Sequence, residues 1–152
     1  MVGPDDSALT AARLIADRRL PGIAVVDAEG RPVAVLPASQ VLRFVVPDYV
    51  QEDPALARVV DEAGAERLCL ESLSGELVKD LLPSARHKVE LAAVDGDATV
   101  LGCAAVMARL RSPVLVVTEN GRVRGLLTAS HLLEVLLPAD GGDERAQAAT
   151  TK

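Results

Sequence analysis

Ile23-Ala-Val-Val-Asp-Ala-Glu-Gly-Arg-Pro-Val-Ala-Val-Leu-Pro-Ala-Ser-Gln-Val-Leu42 and Val114-Leu-Val-Val-Thr-Glu-Asn-Gly-Arg-Val-Arg-Gly-Leu-Leu-Thr-Ala-Ser-His-Leu-Leu133 align without a gap. Val25, Val26, Gly30, Arg31, Leu36, Ala38, Ser39 and Leu42 recur as Val116, Val117, Gly121, Arg122, Leu127, Ala129, Ser130 and Leu133. The match runs outward at the same offset, from Asp6 with Asp97, through Arg18 with Arg109, to Pro47 with Pro138. Chance does not hold a register over that span. The chain is an internal duplication.

Each copy reads as helix, strand, strand, helix. Ser7 and Thr99 stand where an N-cap accepts from free backbone donors. Leu9, Ala12, Ile15 and Ala16 share one helical face in the first copy, as Val100, Cys103, Val106 and Met107 do in the second. Pro21-Gly22 and Ser112-Pro113 stop these helices. The apolar runs Ile23–Val26 and Val33–Leu36 are joined through Glu29-Gly30, and Val114–Val117 and Val123–Leu127 through Asn120-Gly121. Asn-Gly accepts the positive φ of a tight turn and predicts a hairpin. The spacing then predicts helices over Ser39–Val46 and Ser130–Leu137, each followed by proline.

Between the copies the chain is more polar. Asp53-Pro54 predicts a helix to about Glu62, Gly64 interrupts the pattern, and Glu66–Leu73 predicts a second short helix. His87–Val94 reads as a strand leading into the second copy. Only Val2-Gly3-Pro4 stands in the equivalent place at the start, so the first copy is expected to have that strand short or missing. The polar residues 139–152 read as a disordered tail.

Of 152 residues, nearly half are hydrophobic, yet Phe44 and Tyr49 are the only Phe, Tyr or Trp. The core must be built from aliphatic side chains, which suits strands covered by helices. A net charge of −6 argues against nucleic acid as a partner, because phosphate binding needs a basic face. Cys69 and Cys103 lie far apart in apolar stretches and read as reduced core thiols. No apolar run reaches the roughly 18 residues of a spanning helix, so direct membrane insertion is not expected and the cytoplasm is the expected location.

The repeated pattern (helix, Val-Val, acidic-Gly turn, strand, then small residue plus helix) resembles the CBS domain, which occurs in tandem pairs. Val2–Leu9 looks like the start of one such repeat, and Leu77-Val-Lys-Asp-Leu-Leu-Pro83 like the segment that introduces the next. The resemblance implies an α/β fold of two β-α-β-β-α units packed through their sheets as a pseudo-twofold pair. Residues 2–47 would form the first repeat, 48–76 a helical linker and 77–138 the second repeat. It further implies a homodimer, an adenine nucleotide such as AMP, ADP or ATP as ligand, and regulation of an attached or separate enzyme, channel or transporter. No cofactor is required for that role.

In nucleotide-binding members the second strand of the hairpin runs into the last helix through Gly-x-x-Thr/Ser-x-x-Asp. Glycine allows close approach, the helix N-terminus and hydroxyl meet phosphate, and the acid accepts from ribose hydroxyls. The second copy has Gly125-Leu-Leu-Thr128-Ala-Ser-His131, with histidine in place of the acid. With Val94 from the leading strand, the resemblance implies a nucleotide set of Val94, Gly125, Thr128 and His131. The first copy has Ala34-Val-Leu-Pro37-Ala-Ser-Gln40, lacking all three elements. Thr128 or Ser130 reads equally as an ordinary helix cap. His87, between Arg86 and Lys88, reads as a phosphate contact or as solvated linker, and Arg122 and Arg124 carry the same two readings.

Nothing points to catalysis. Two histidines and two distant cysteines lack metal-ligand spacing, and no nucleophile elbow or phosphate-binding glycine loop is present. A ligand-free dimerisation or interaction module is the competing reading.

Overall fold

The structure, a computed structural model, describes residues 1–83 and 90–139. The expected strand from His87 therefore begins, among the described residues, only at β3 (Ala93–Asp95), and the 140–152 part of the expected tail lies outside them.

The first repeat comprises α1 (Ala8–Asp17), the β1–β2 hairpin (Gly22–Val26, Pro32–Pro37) and α2 (Ala38–Val45). The second comprises β3, α6 (Val100–Leu110), the β4–β5 hairpin (Val114–Glu119, Arg122–Thr128) and α7 (Ala129–Leu136). The last helix of each copy starts one residue earlier than its spacing predicts. In the first copy the leading strand shrinks to one residue. Val2 forms an isolated parallel bridge to Val25, donating to the Ala24 carbonyl and accepting from Val26. Pro4 has no N–H with which to extend that pairing.

The caps follow the side chains. Ser7 Oγ accepts from Thr10 N–H at 3.3 Å and Thr99 Oγ1 from Gly102 N–H at 3.0 Å. Asn120 and Gly121 both take positive φ, 54° and 78°, so the second hairpin turns as its sequence requires. The first hairpin turns differently. Asp27 accepts the N–H groups of Glu29 and Arg31 at 3.0 and 2.9 Å. The Arg31 N–H foremost, with the Glu29 N–H, holds the Asp27 carboxyl below its ordinary pKa against an opposing desolvation. The equivalent residue in the second copy, Thr118, instead donates to Asp95 Oδ1 at 3.0 Å and ties β3 to β4.

The intervening region differs from its sequence reading. It forms α3 (Asp48–Glu52), a 3-10 helix over Pro54–Val59, α4 (Glu62–Leu73) and the one-turn α5 (Val78–Leu81). Gly64 does not interrupt α4; it lies in its first turn and donates to the capping Asp61 carboxylate at 2.8 Å. Proline at the start of the 3-10 helix and the Asp61 cap set boundaries that apolar spacing alone does not reveal.

Two cores result. Val2, Ala8, Ala11, Ile15, Ile23, Leu36, Val41, Leu73, Val78 and Leu81 form the first; Ala92, Cys103, Met107, Leu115 and Leu132 form the second. Val78 and Leu81 thus pack on the first repeat. The two hairpins meet between the cores. A side chain built at Gly22 would meet Val114 Cγ2 at 3.4 Å, and Val123 N–H donates to the Gly30 carbonyl at 2.9 Å.

Candidate functional site

At the end of β5 the chain turns into α7 through Thr128, whose extended backbone makes it the N-cap. Its Oγ1 accepts from the His131 N–H at 3.2 Å and lies 3.2 Å from Ser130 Oγ. Of the two candidate caps, Thr128 is the one used. The Ser130 N–H has no partner among the described residues, so this corner offers one free backbone donor and two hydroxyls. His131 is exposed, and its Nδ1 lies 3.4 Å from Glu134 Oε2.

Val94 and Gly125 flank Val117 in one row across β3, β4 and β5. Gly125 is exposed, and a side chain built there would meet nothing within 4 Å. Thr128 lies three positions further on, roughly 10 Å along a strand, and an odd step places the two on opposite faces of the pleat. The structure therefore brings Thr128 to His131 and Val94 to Gly125, but does not gather the four into one cluster.

The corresponding corner of the first repeat is built differently. Pro37 gives no side-chain cap to α2. Gln40, in the place of His131, donates through Nε2 to the Leu81 carbonyl at 3.1 Å. The residue equivalent to the nucleotide motif's acid is thus spent on holding α5.

The hairpin end of the second sheet carries a shallow polar dish lined by Asp95, Asp97, Thr118, Glu119, Asn120 and Arg124. Arg124 is paired there with Glu119 at 3.1 Å. The Arg122 side chain lies beside the Gly30 turn. Arg86, His87 and Lys88 fall outside the described residues. Among the described residues no cluster of metal-ligating side chains occurs, and no helix is long and apolar enough to cross a membrane. Cys103 is buried and Cys69 half-buried, and neither forms a disulfide.

A feature passed over in the sequence is an apolar groove between α6 and α7, lined by Ala104, Met107, Ala108, Leu132, Leu133 and Leu136. The duplication carries a signal for it. At the same offset, Ala104 and Ala108 replace Arg13 and Asp17, so these two positions are charged only in the first copy, and Arg111 stands at the groove's end.

The family model of the CBS domain matches residues 1–47 and again 78–138. The chain belongs to the CBS-domain family. Its architecture is that of a CBS pair, a regulatory type of module, and no catalytic family is indicated. No curated protein matches it. Among solved structures it is similar to a CBS domain-containing protein of unknown function from Kribbella flavida, at 52% identity and a TM-score of 0.73, over 90% of this chain and 91% of that one. The CBS domain of a membrane protein from Sphaerobacter thermophilus is similar at 22% identity and TM-score 0.65, over 90% and 81% of the two chains. CBSX2 of Arabidopsis thaliana, in complex with AMP, is similar at 18% identity and TM-score 0.63, over 92% and 89%. At those last two identities the CBS fold is what is shared.

Proposed function

We propose that this CBS pair is a non-catalytic, cytoplasmic regulatory module that takes an adenine nucleotide at the second repeat's corner and signals occupancy to a separate enzyme or transporter. The asymmetry of the two corners carries the reading. Thr128 and Ser130 hydroxyls and the free Ser130 N–H stand at the start of α7, where phosphate is favoured. Pro37 and the engaged Gln40 offer none of this. The AMP complex of CBSX2 supports the choice of ligand class. Val94 and Gly125, displaced along the sheet, would contribute apolar contact and open approach rather than phosphate contact, and His131 would replace the acid only as a single acceptor or as a cation.

Calorimetry with AMP, ADP and ATP tests this. Saturable binding of at least one nucleotide, weakened in Thr128→Ala, supports it; flat titrations for all three at millimolar concentration remove it.

The exposed aliphatic groove between α6 and α7 favours a second reading, a homodimerisation module. Leu133, Leu136 and Leu137 are 54%, 46% and 62% exposed, an unusual density of aliphatic surface on one helix and its end. The two readings are compatible in one molecule.

A further inference from the structure

Residues 48–60 leave the first repeat as an arm that buries nothing. Neither α3 nor the 3-10 helix has a buried residue, and between Asp48 and Val60 only Val50 is even half-buried. The root of the arm is fixed, because Gln51 Nε2 donates to the Arg43 and Val46 carbonyls at 3.0 and 2.7 Å. Helices of five and six residues are not stable in water by themselves. The composition is not that of a solvated loop either. Tyr49, one of the chain's two aromatic residues, is 63% exposed, and Leu56 and Val60 are exposed with it. A tyrosine with its ring in water is characteristic of contact surfaces.

The groove between α6 and α7 is a surface of matching character. Three alanines among its lining residues, Ala104, Ala108 and Ala129, leave room for a large side chain between Met107, Leu133 and Leu136. The charges of the two surfaces are complementary. Asp48 and Glu52 stand at the start of the arm and Arg58 near its end. Arg111 stands at the groove's end, and Glu134 lies on α7 between Leu133 and Leu136. Among the described residues Asp48, Glu52, Arg58 and Arg111 have no ion pair, and Glu134 meets only His131. No residue of the arm lines the groove of its own chain, and Gln51 holds the arm's root on the first repeat.

We infer that two copies of this chain exchange arms: residues 48–60 of each lie in the α6–α7 groove of the other, with Tyr49 and Leu56 against the alanines and leucines. Arg111 then faces the acidic start of the arm and Glu134 its basic end. A twofold axis repeats the contact, so each dimer holds two arms and two filled grooves. The exchange presupposes the homodimer proposed above and names what fills its groove.

Complementation between two defective variants tests it. An arm variant, Tyr49→Asp with Leu56→Asp, and a groove variant, Leu133→Glu with Leu136→Glu, are compared with the parent by sedimentation, alone and mixed in equal amounts. All four residues are exposed, so the fold should survive, which circular dichroism checks. Each variant alone should dimerise about tenfold or more weakly than the parent. The mixture should form a heterodimer at concentrations where neither variant dimerises, because one intact arm meets one intact groove. Hydrogen exchange of the unmutated protein gives a readout that holds even if a variant unfolds: the Leu56 and Val60 amides should slow as concentration rises through the dimer range. A parent that stays monomeric at every concentration, its groove empty or filled by another segment or another protein, overturns the dimer and the exchange together. An arm variant as dimeric as the parent, beside a dissociated groove variant, leaves the dimer standing groove against groove and overturns the exchange alone. A mixture without heterodimer, or arm amides indifferent to concentration, does the same.

Discussion

The Gly30 carbonyl accepts the Val123 N–H at 2.9 Å, so the turn of the first hairpin is bonded to the second strand of the other. The pseudo-twofold partner of this bond would run from residue 32 to Gly121. Residue 32 is proline and has no N–H to give. The two hairpins are therefore latched on one side, and around Gly22 and Val114 they meet through apolar contact.

Gly22 is packed tightest against its own hairpin partner. A Cβ there would lie 2.9 Å from the Leu36 carbonyl oxygen and 3.1 Å from the Pro37 Cα, both backbone atoms of the paired strand. Gly22→Ala should cost about 1–3 kcal/mol through overpacking. Urea unfolding of the purified variant measures it, and an unchanged midpoint would contradict the tight hairpin contact.

Leu81 is 1% exposed at the centre of the first core although it lies beyond α4 in the chain. Leu81→Ala should lower stability by about 2–5 kcal/mol, the range for truncating a buried leucine. Val59→Ala, at a 91% exposed position, should change it by less than about 0.5 kcal/mol. Comparable losses for the two would mean that α5 is not part of the core.

Thr128 and Ser7 are both capping residues, but only Thr128 stands at the proposed nucleotide corner. Alanine at either should cost about 1 kcal/mol of stability. Thr128→Ala should in addition abolish most of the thermal stabilisation produced by saturating AMP, ADP or ATP, while Ser7→Ala leaves that increment intact. Thermal melts of the two variants with and without nucleotide make the comparison.

The Asp27 carboxylate has its pKa lowered in the folded chain by the Arg31 and Glu29 N–H groups and by the Arg31 guanidinium. A depressed folded pKa contributes stability that is complete above the unfolded carboxylate value and is lost as pH falls through the folded one. Asp27→Asn should therefore be less stable than the parent near neutrality, and the gap should close below about pH 3.8, the ordinary value of the group. Parallel melting curves across that range test the sign.

Leu133 and Leu136 line the groove between α6 and α7 and are half exposed. If the groove is a homodimer interface, Leu133→Glu combined with Leu136→Glu should yield a monomer in sedimentation at concentrations where the parent is dimeric, without loss of the fold. A buried carboxylate at such an interface is strongly disfavoured.

Much of this was legible before the structure. The duplication, the hairpin at Asn120-Gly121 and the caps at Ser7 and Thr99 follow from short-range chemistry that a sequence displays directly. The seat of α5 does not, because Val78 and Leu81 meet Ala8 and Ala11 across most of a repeat, and local periodicity says nothing about such distant pairs. The nucleotide set shows a subtler limit. Gly125, Thr128 and His131 are evenly spaced in the chain, but pleating turns Gly125 to the other face of the sheet from Thr128. The groove was visible in the exchange of Arg13 and Asp17 for Ala104 and Ala108, once the copies are compared for their differences instead of their matches.

A segment that joins two copies lies between them once, so it can shelter only one of them. Doubling a gene fragment doubles every surface, yet the connecting peptide is not doubled in the same proportion. In this protein Glu76–Leu81 closes over copy one, and no described residue of the joint bonds to the matching edge of copy two at the Thr99 N–H and the Asp97 carbonyl. Two copies of one unit thereby differ in their surroundings as well as in the residues at their ligand corners.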